Sequence, residues 1–230
     1  MDKRSLASYL DLANHEQKSA EEDIKKLCGQ VRQYHFHSAF VNPYYVALAK
    51  KIIENRAAVG TVISFPLGQE GLDVKVFSSL WAVKQGADEL DIANNVGFFK
   101  MGRFEKAKEE MKTIVKEVKK KRKQTIIKFI IETGHLSEAE IKKAAVAILT
   151  SGADFIKICS GMGPRGASLE DVKLIRSIVG QKIKLKAAGG ISTYKQAADF
   201  ITAGVDRMGS SHAVEIVLEK SLKSLSGKSE

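Results

Sequence analysis

The 230-residue chain is poor in cysteine, with two, in proline, with three, and in tryptophan, with one. Cys28 and Cys159 stand far apart in sequence and make neither a disulfide framework nor a metal knuckle. No apolar run approaches the roughly 18 residues of a membrane span. The opening Met1-Asp2-Lys3-Arg4-Ser5 leads into a polar helix, not a signal-peptide core. These absences point to a cytoplasmic protein with no membrane partner. The five histidines (His15, His35, His37, His135 and His212) are scattered, and no pair has helical zinc spacing, so no metal is expected. His35 and His37, alternating at a strand entrance, read as packing or surface residues. With no Pro-, Gly- or Ser-rich linker, one domain is expected over residues 1–222, with 223–230 as a frayed tail.

Charge of one sign is in surplus: 37 Lys and Arg against 27 Asp and Glu give a net +10. Much of the excess lies in Lys116-Glu117-Val118-Lys119-Lys120-Lys121-Arg122-Lys123, the tail of a predicted helix. Cations suit a helix C-terminus, so this run reads as a solvated face. Without interleaved aromatics or a recognisable module, a nucleic-acid partner is not expected. A positive field would still draw in a phosphorylated substrate. The hydrophobic fraction, 44%, is enough for a sizeable core.

Strand-like, β-branched runs recur near residues 8–13, 38–42, 59–65, 89–93, 126–132, 154–159, 183–188 and 206–209. Each is followed by a charged, helix-favouring stretch with apolar residues three and four apart. The segment 171–179 shows the pattern and ends at Gly180 as a cap. Eight such units predict a closed TIM (β/α)8 barrel and fit a flavodoxin-like open sheet less well. A weak repeat, Gly86-Ala87-Asp88, Gly152-Ala153-Asp154 and Gly204-Val205-Asp206, falls between helix and strand and reads as structural.

Chemistry in such a barrel sits at the C-terminal ends of the strands. Lys157 and Lys186 each lie near the end of an apolar run. Two buried lysines facing each other disfavour double protonation, and a neutral amine is a nucleophile for carbonyl carbon. Asp91 shares a strand face with Glu89 and is a candidate buried base, or a partner of the lysines. Lys128 and Glu132 on strand five could orient that pair or close an ion network. Gly189 and Gly190 after strand seven, with Gly209, Ser210 and Ser211 at strand eight, fit an anion site of backbone N–H groups at a helix start. Cys159 has no histidine partner in sequence and reads as a small buried residue.

With these residues placed, the chain resembles the deoxyribose-phosphate aldolase family of class I aldolases from about Leu10 to Glu215. The resemblance is carried by Phe40-Val41-Asn42-Pro43, Phe65-Pro66-Leu67-Gly68, Gly86-Ala87-Asp88-Glu89-Leu90-Asp91 and Ile130-Ile131-Glu132-Thr133. It continues through Gly152-Ala153-Asp154-Phe155-Ile156-Lys157, Lys186-Ala187-Ala188-Gly189-Gly190-Ile191 and Gly209-Ser210-Ser211. It implies that Lys157 forms a Schiff base with acetaldehyde, that Lys186 lowers its pKa, and that Asp91 relays protons through water. Gly161, Gly189, Gly190, Gly209, Ser210 and Ser211 would bind the substrate and its phosphate, with Asp11, Lys128 and Glu132 in support. No cofactor is implied. A small phosphorylated sugar and acetaldehyde are the implied ligands, in a homo-oligomer.

The chain also departs from the family pattern. Ala13 and Asn14 stand where a threonine usually touches substrate, and Phe40 replaces a cysteine. Ile158-Cys159-Ser160 replaces Thr-Ser-Thr before Gly161, Met162 follows that glycine, and Ser64 replaces a glycine. The C-terminal tyrosine of some members is missing. An aldolase of another phosphorylated sugar, or a sugar-phosphate-binding barrel without aldolase chemistry, are the alternatives.

Overall fold

A computed structural model describes residues 3–226. Eight parallel strands form a closed barrel in chain order: β1 (Leu10–Asn14), β2 (Ser38–Val41), β3 (Ala58–Ile63), β4 (Glu89–Ala93), β5 (Ile126–Ile130), β6 (Phe155–Lys157), β7 (Lys184–Ala188) and β8 (Arg207–Ser210). Closure is made by β1 on β8, with Leu10 opposite Met208 and Asp11 opposite Gly209, which rules out the open sheet. Each expected strand is present within a few residues. β5 stops short of its apolar run because Glu132 takes a left-handed conformation (φ 60°) and a 3-10 turn, Thr133–His135, follows.

The outer layer comprises α1 (Lys3–Ala7), α2 (Glu21–Tyr34), α3 (Val46–Ile53), α4 (Leu72–Lys84), α5 (Val96–Lys100), α6 (Phe104–Lys121), α7 (Glu138–Leu149), α8 (Leu169–Val179), α9 (Tyr194–Thr202) and α10 (Ala213–Ser226). Reciprocal side-chain to backbone capping sets three of the starts: Ser137 with Glu140, Ser168 with Asp171, and Thr193 with Gln196. α10 carries through Ser226, into the segment expected as a frayed tail; residues 227–230 lie outside those described.

Side chains alternate along each strand, so one set faces the helices and the other the lumen. Leu90, Ile92, Ile127, Phe129, Ile156, Leu185 and Met208 join Ile24, Ile53, Met111, Ile114 and Ile175 of the helices in one apolar core. Burying a side chain of this size contributes about 1.5–3 kcal/mol. On α6 the buried Ala107, Met111, Ile114 and Val118 recur every three or four residues, leaving the charged face outward.

The repeated Gly-x-Asp loops have one architecture. Asp88, Asp154 and Asp206 accept the backbone N–H of Val59, Ile127 and Leu185, respectively, on the preceding strand. Each carboxylate also takes a cation from a helix or its C-terminal cap: Lys50 and Arg122 on Asp88, Lys119 on Asp154, and Arg176 on Asp206. Two cations of the basic 116–123 run therefore lock the strand entrances. On α4, Val74, Phe77 and Trp81 present apolar surface outward. No helix among the described residues is long and apolar enough to cross a membrane.

Candidate active site

The lumen of most barrels of this class is packed with branched aliphatic side chains. Here the lumen is ionic. Asp11, Glu89, Asp91, Lys128, Lys157 and Lys186 are all buried, and Arg207 joins them at partial burial. Strand register brings them together: Asp91 is opposite Lys128, Lys157 opposite Lys186, and Lys186 opposite Arg207.

Asp91 is the hub. Its Oδ2 pairs with Lys157 Nζ at 2.9 Å and Lys186 Nζ at 2.8 Å, and its Oδ1 with Lys128 Nζ at 3.0 Å. Lys186 also reaches Asp11 at 2.7 Å, and Lys128 reaches Glu89 at 2.5 Å. Arg207 lies 3.2 Å from Asp11 Oδ1, the oxygen that also accepts the Ser38 hydroxyl at 2.6 Å. His37, expected as a packing or surface residue, is half-buried, and its Nε2 meets Glu89 at 3.0 Å. Asp11, His37 and Glu89 bring three possible metal ligands within 4.8 Å. Lysine and arginine cations already occupy these carboxylates, so the donor set does not fit a metal.

Three carboxylates thus face four cations in a buried space. Burial is the largest influence on Lys157 and pushes its pKa down; Asp91 opposes this, and Lys186 adds to it. Burial alone would raise the pKa of Asp91, but Lys128, Lys157 and Lys186 outweigh it and hold the carboxyl well below its usual range. Asp11 is likewise lowered, burial being overcome by Lys186 and Arg207. Burial would also lower Lys128, yet Asp91, Glu89 and Asp11 raise it, so Lys128 stays an ammonium. Lys157 is thus drawn toward its neutral form while Lys128 is held charged.

A cavity of about 740 Å³ opens above this network at the C-terminal mouth, with Asp91, Lys157 and Lys186 in its lining. Gly161, Gly189, Gly190, Gly209, Ser210 and Ser211 line it as well. Gly161, Gly166 and Gly189 touch backbone to backbone: a Cβ on Gly189 would lie 2.9 Å from the Cα of both others. Gly161, Gly189 and Gly190 all have positive φ (88°, 87° and 77°). The loops after β6 and β7 can therefore approach each other as no residue with a side chain would permit. Ser210 donates its hydroxyl to Ile191 O at 2.6 Å and accepts the His212 N–H, fixing the entry to α10.

Some expected residues stand elsewhere. Glu132 does not join the lysine network; it accepts the Ser160 N–H at 3.0 Å and lines a smaller neighbouring cavity. Gly209 serves Lys186 directly, since a Cβ there would crowd its Cε at 3.2 Å. Cys159 is fully buried against Thr133, and burial pushes its thiol up to about 11. Sequence reasoning missed His15, Phe65 and Lys26, which line the cavity, and the space that Gly60 provides for Phe40. For His15 the signal was available: positions 11, 13 and 15 continue one face of β1.

Fold and cavity together place the protein among barrel enzymes of carbonyl chemistry. The sequence matches the DeoC/LacD family of aldolases over residues 2–212, and the chain belongs to that family. It is 43% identical to the deoxyribose-phosphate aldolase of Thermococcus kodakarensis over 94% of this chain and 97% of that one. Identity to the deoxyribose-phosphate aldolase of Caldicellulosiruptor saccharolyticus is 40%, over 95% and 100%. A solved structure described as "QR15, an Aldolase" superposes with a TM-score of 0.89 at 38% identity, over 96% of this chain and 97% of that one. The tetrameric deoxyribose phosphate aldolase from Aeropyrum pernix superposes with a TM-score of 0.89 at 28% identity, over 97% and 93%.

Proposed function

We propose that the protein is a class I aldolase that reversibly cleaves 2-deoxy-D-ribose 5-phosphate to D-glyceraldehyde 3-phosphate and acetaldehyde, with Lys157 as the Schiff-base residue. The observation that carries this reading is the burial of Lys157 beside Lys186 on one oxygen of Asp91, at the floor of the cavity. Neutral Lys157 adds to the C1 aldehyde of the open-chain sugar, and loss of water with uptake of one proton from solvent gives a protonated imine. That cation is the electron sink for the C2–C3 bond. As the bond breaks, the C3 hydroxyl proton passes through water to Asp91, and glyceraldehyde 3-phosphate departs. The electron pair neutralises the imine to an enamine, which removes one positive charge from beside Asp91. Its carboxylate becomes a better base at the moment it is needed. Protonation at C2 and hydrolysis then release acetaldehyde and restore the amine.

Lys186 keeps the positive potential that disfavours an ammonium on Lys157. Gly161, Gly189 and Gly190, in the loops after β6 and β7, and Ser210 and Ser211, just before α10, hold the phosphate through backbone N–H groups, and the dipole of α10 favours an anion there. Borohydride trapping with 2-deoxyribose 5-phosphate, followed by intact mass and peptide mapping, tests the reading. A reduced adduct on Lys157 is expected. Substrate binding without any adduct would leave a sugar-phosphate-binding barrel instead.

Phe40 filling the lumen and Ala13 at its wall favour one other reading, an aldolase of a different phosphorylated sugar. A panel of aldehyde acceptors separates the two. We also read the enzyme as cytoplasmic and as a homo-oligomer, the latter supported by the tetrameric Aeropyrum pernix relative and the outward apolar residues of α4. Light scattering in solution tests the assembly.

A further inference from the structure

Asp11, Ala13 and His15 follow one another along a single face of β1 and its continuation. Asp11 lies at the floor of the lumen, and Ala13 and His15 form the cavity wall above it. Ala13 offers no hydrogen-bonding side chain at the place where the resemblance puts a threonine. His15 stands one step nearer the mouth. Its ring meets Phe40 edge-on at 6.5 Å and lies 5.5 Å from Phe65. Those rings carry Lys186 Nζ at 3.6 Å and Lys157 Nζ at 5.4 Å from their centroids, so the imidazole shares its aromatic neighbours with the two lysines.

The His15 Nδ1 is buried with no hydrogen-bond partner of sound geometry, though Asn42 lies alongside. Burial, reinforced by the Lys157 charge, lowers the imidazole to about 3. The ring is therefore neutral, with one donor and one acceptor nitrogen and no charge to draw in a phosphate. A neutral imidazole in the cavity wall, flanked by apolar rings, suits a hydroxyl group. We propose that His15 is a specificity-determining residue, hydrogen-bonding through a ring nitrogen to the hydroxyl beside the acceptor's carbonyl carbon, which becomes the C4 hydroxyl of the sugar phosphate. The assignment rests on the aldolase reading and supplies the hydroxyl contact that Ala13 cannot make. An acceptor lacking that hydroxyl leaves the imidazole edge unpaired, which is how a polar site rejects a deoxy analogue.

The test runs the reaction in the aldol direction, with acetaldehyde as donor. Two acceptors are compared: glyceraldehyde 3-phosphate, and 3-oxopropyl phosphate, which lacks only the 2-hydroxyl. The ratio of kcat/KM for the two acceptors within one protein does not depend on how much of a variant is folded. His15→Leu is expected to lower the wild-type preference for the hydroxylated acceptor about tenfold, the weight of one hydrogen bond. His15→Asn, which keeps a polar edge, is expected to recover part of it. An unchanged ratio in His15→Leu would overturn the assignment. Borohydride trapping of acetaldehyde by the wild-type protein is run in parallel. An adduct with an unchanged ratio overturns the role of His15 alone, whereas no adduct overturns the aldolase reading and this role with it.

Discussion

The face of the Phe40 ring lies against the Lys186 ammonium, 3.6 Å from Nζ to ring centroid. Lys128 approaches the same ring at 4.7 Å. An aromatic face stabilises a cation without adding a negative charge, so Lys186 is held in place while its positive potential still reaches Lys157. Asp11 and Asp91 already pair with Lys186, and a third carboxylate in place of the ring would weaken that potential further.

Phe40→Leu keeps an apolar side chain and removes the ring face. Cation–π contacts in a desolvated setting are worth about 2 kcal/mol, so a stability loss of about 2 kcal/mol is expected in urea denaturation. A variant as stable as wild type would show that the ring contributes only bulk.

Lys186 and Asp91 act on Lys157 with opposite sign, since Lys186 lowers its pKa and Asp91 raises it. Lys186→Leu is therefore expected to shift the acid limb of borohydride trapping to higher pH. Asp91→Asn is expected to shift it to lower pH while cutting aldol turnover by about 10²-fold or more through loss of the proton relay. Trapping profiles that move in the same direction for both variants would contradict the assigned roles.

The depressed pKa of Lys157 also has a stability consequence. Its folded value lies below its unfolded one, so the unfolded chain binds more protons between the two. The stability this group permits is complete above the unfolded pKa and is lost as pH falls through the folded pKa. Lys157→Met removes that penalty, while Asp91 keeps Lys128 and Lys186 as partners. The variant is expected to gain on wild type as pH falls through the window, by at most about 1.4 kcal/mol per pH unit, and to lose that advantage near pH 10. Thermal melts across pH 6–10 measure this, and a constant gap would show that Lys157 stays charged.

The barrel was legible in the sequence because its signal is periodic: eight apolar runs, eight amphipathic stretches and three Gly-x-Asp loops. The positions of Lys157, Lys186 and Asp91 were legible because charge inside an apolar run is costly and invites a partner. Their convergence on one carboxylate was not, since it depends on register between strands that are distant in sequence. Glu132 misled for a local reason. It ends an apolar run as a lumen residue would, but its left-handed backbone turns the side chain to Ser160. Phe40 stood out as a departure from a pattern, yet only the neighbouring strand explains how it fits.

That neighbour is Gly60, opposite Phe40 in the β2–β3 register. A Cβ on Gly60 would lie 2.2 Å from Phe40 Cζ and 2.3 Å from Cε2, so the ring must leave its place if any side chain is added. The ring has little freedom to do so, because Lys186 and Lys128 lie over it. Gly60→Ala is expected to cost about 1–3 kcal/mol as an overpacked core substitution, and to lower turnover by displacing Lys186. Phe40→Cys empties the same space and carries its own cost. If the two positions share one volume, Gly60→Ala in the Phe40→Cys background becomes nearly neutral, because the added methyl enters space the ring has left. The double-mutant cycle should then show a coupling of about 1–3 kcal/mol in urea denaturation, with the two single costs summing to more than the double. Strict additivity would mean that the chain accommodates each change separately and that Gly60 is not what admits Phe40 to the lumen.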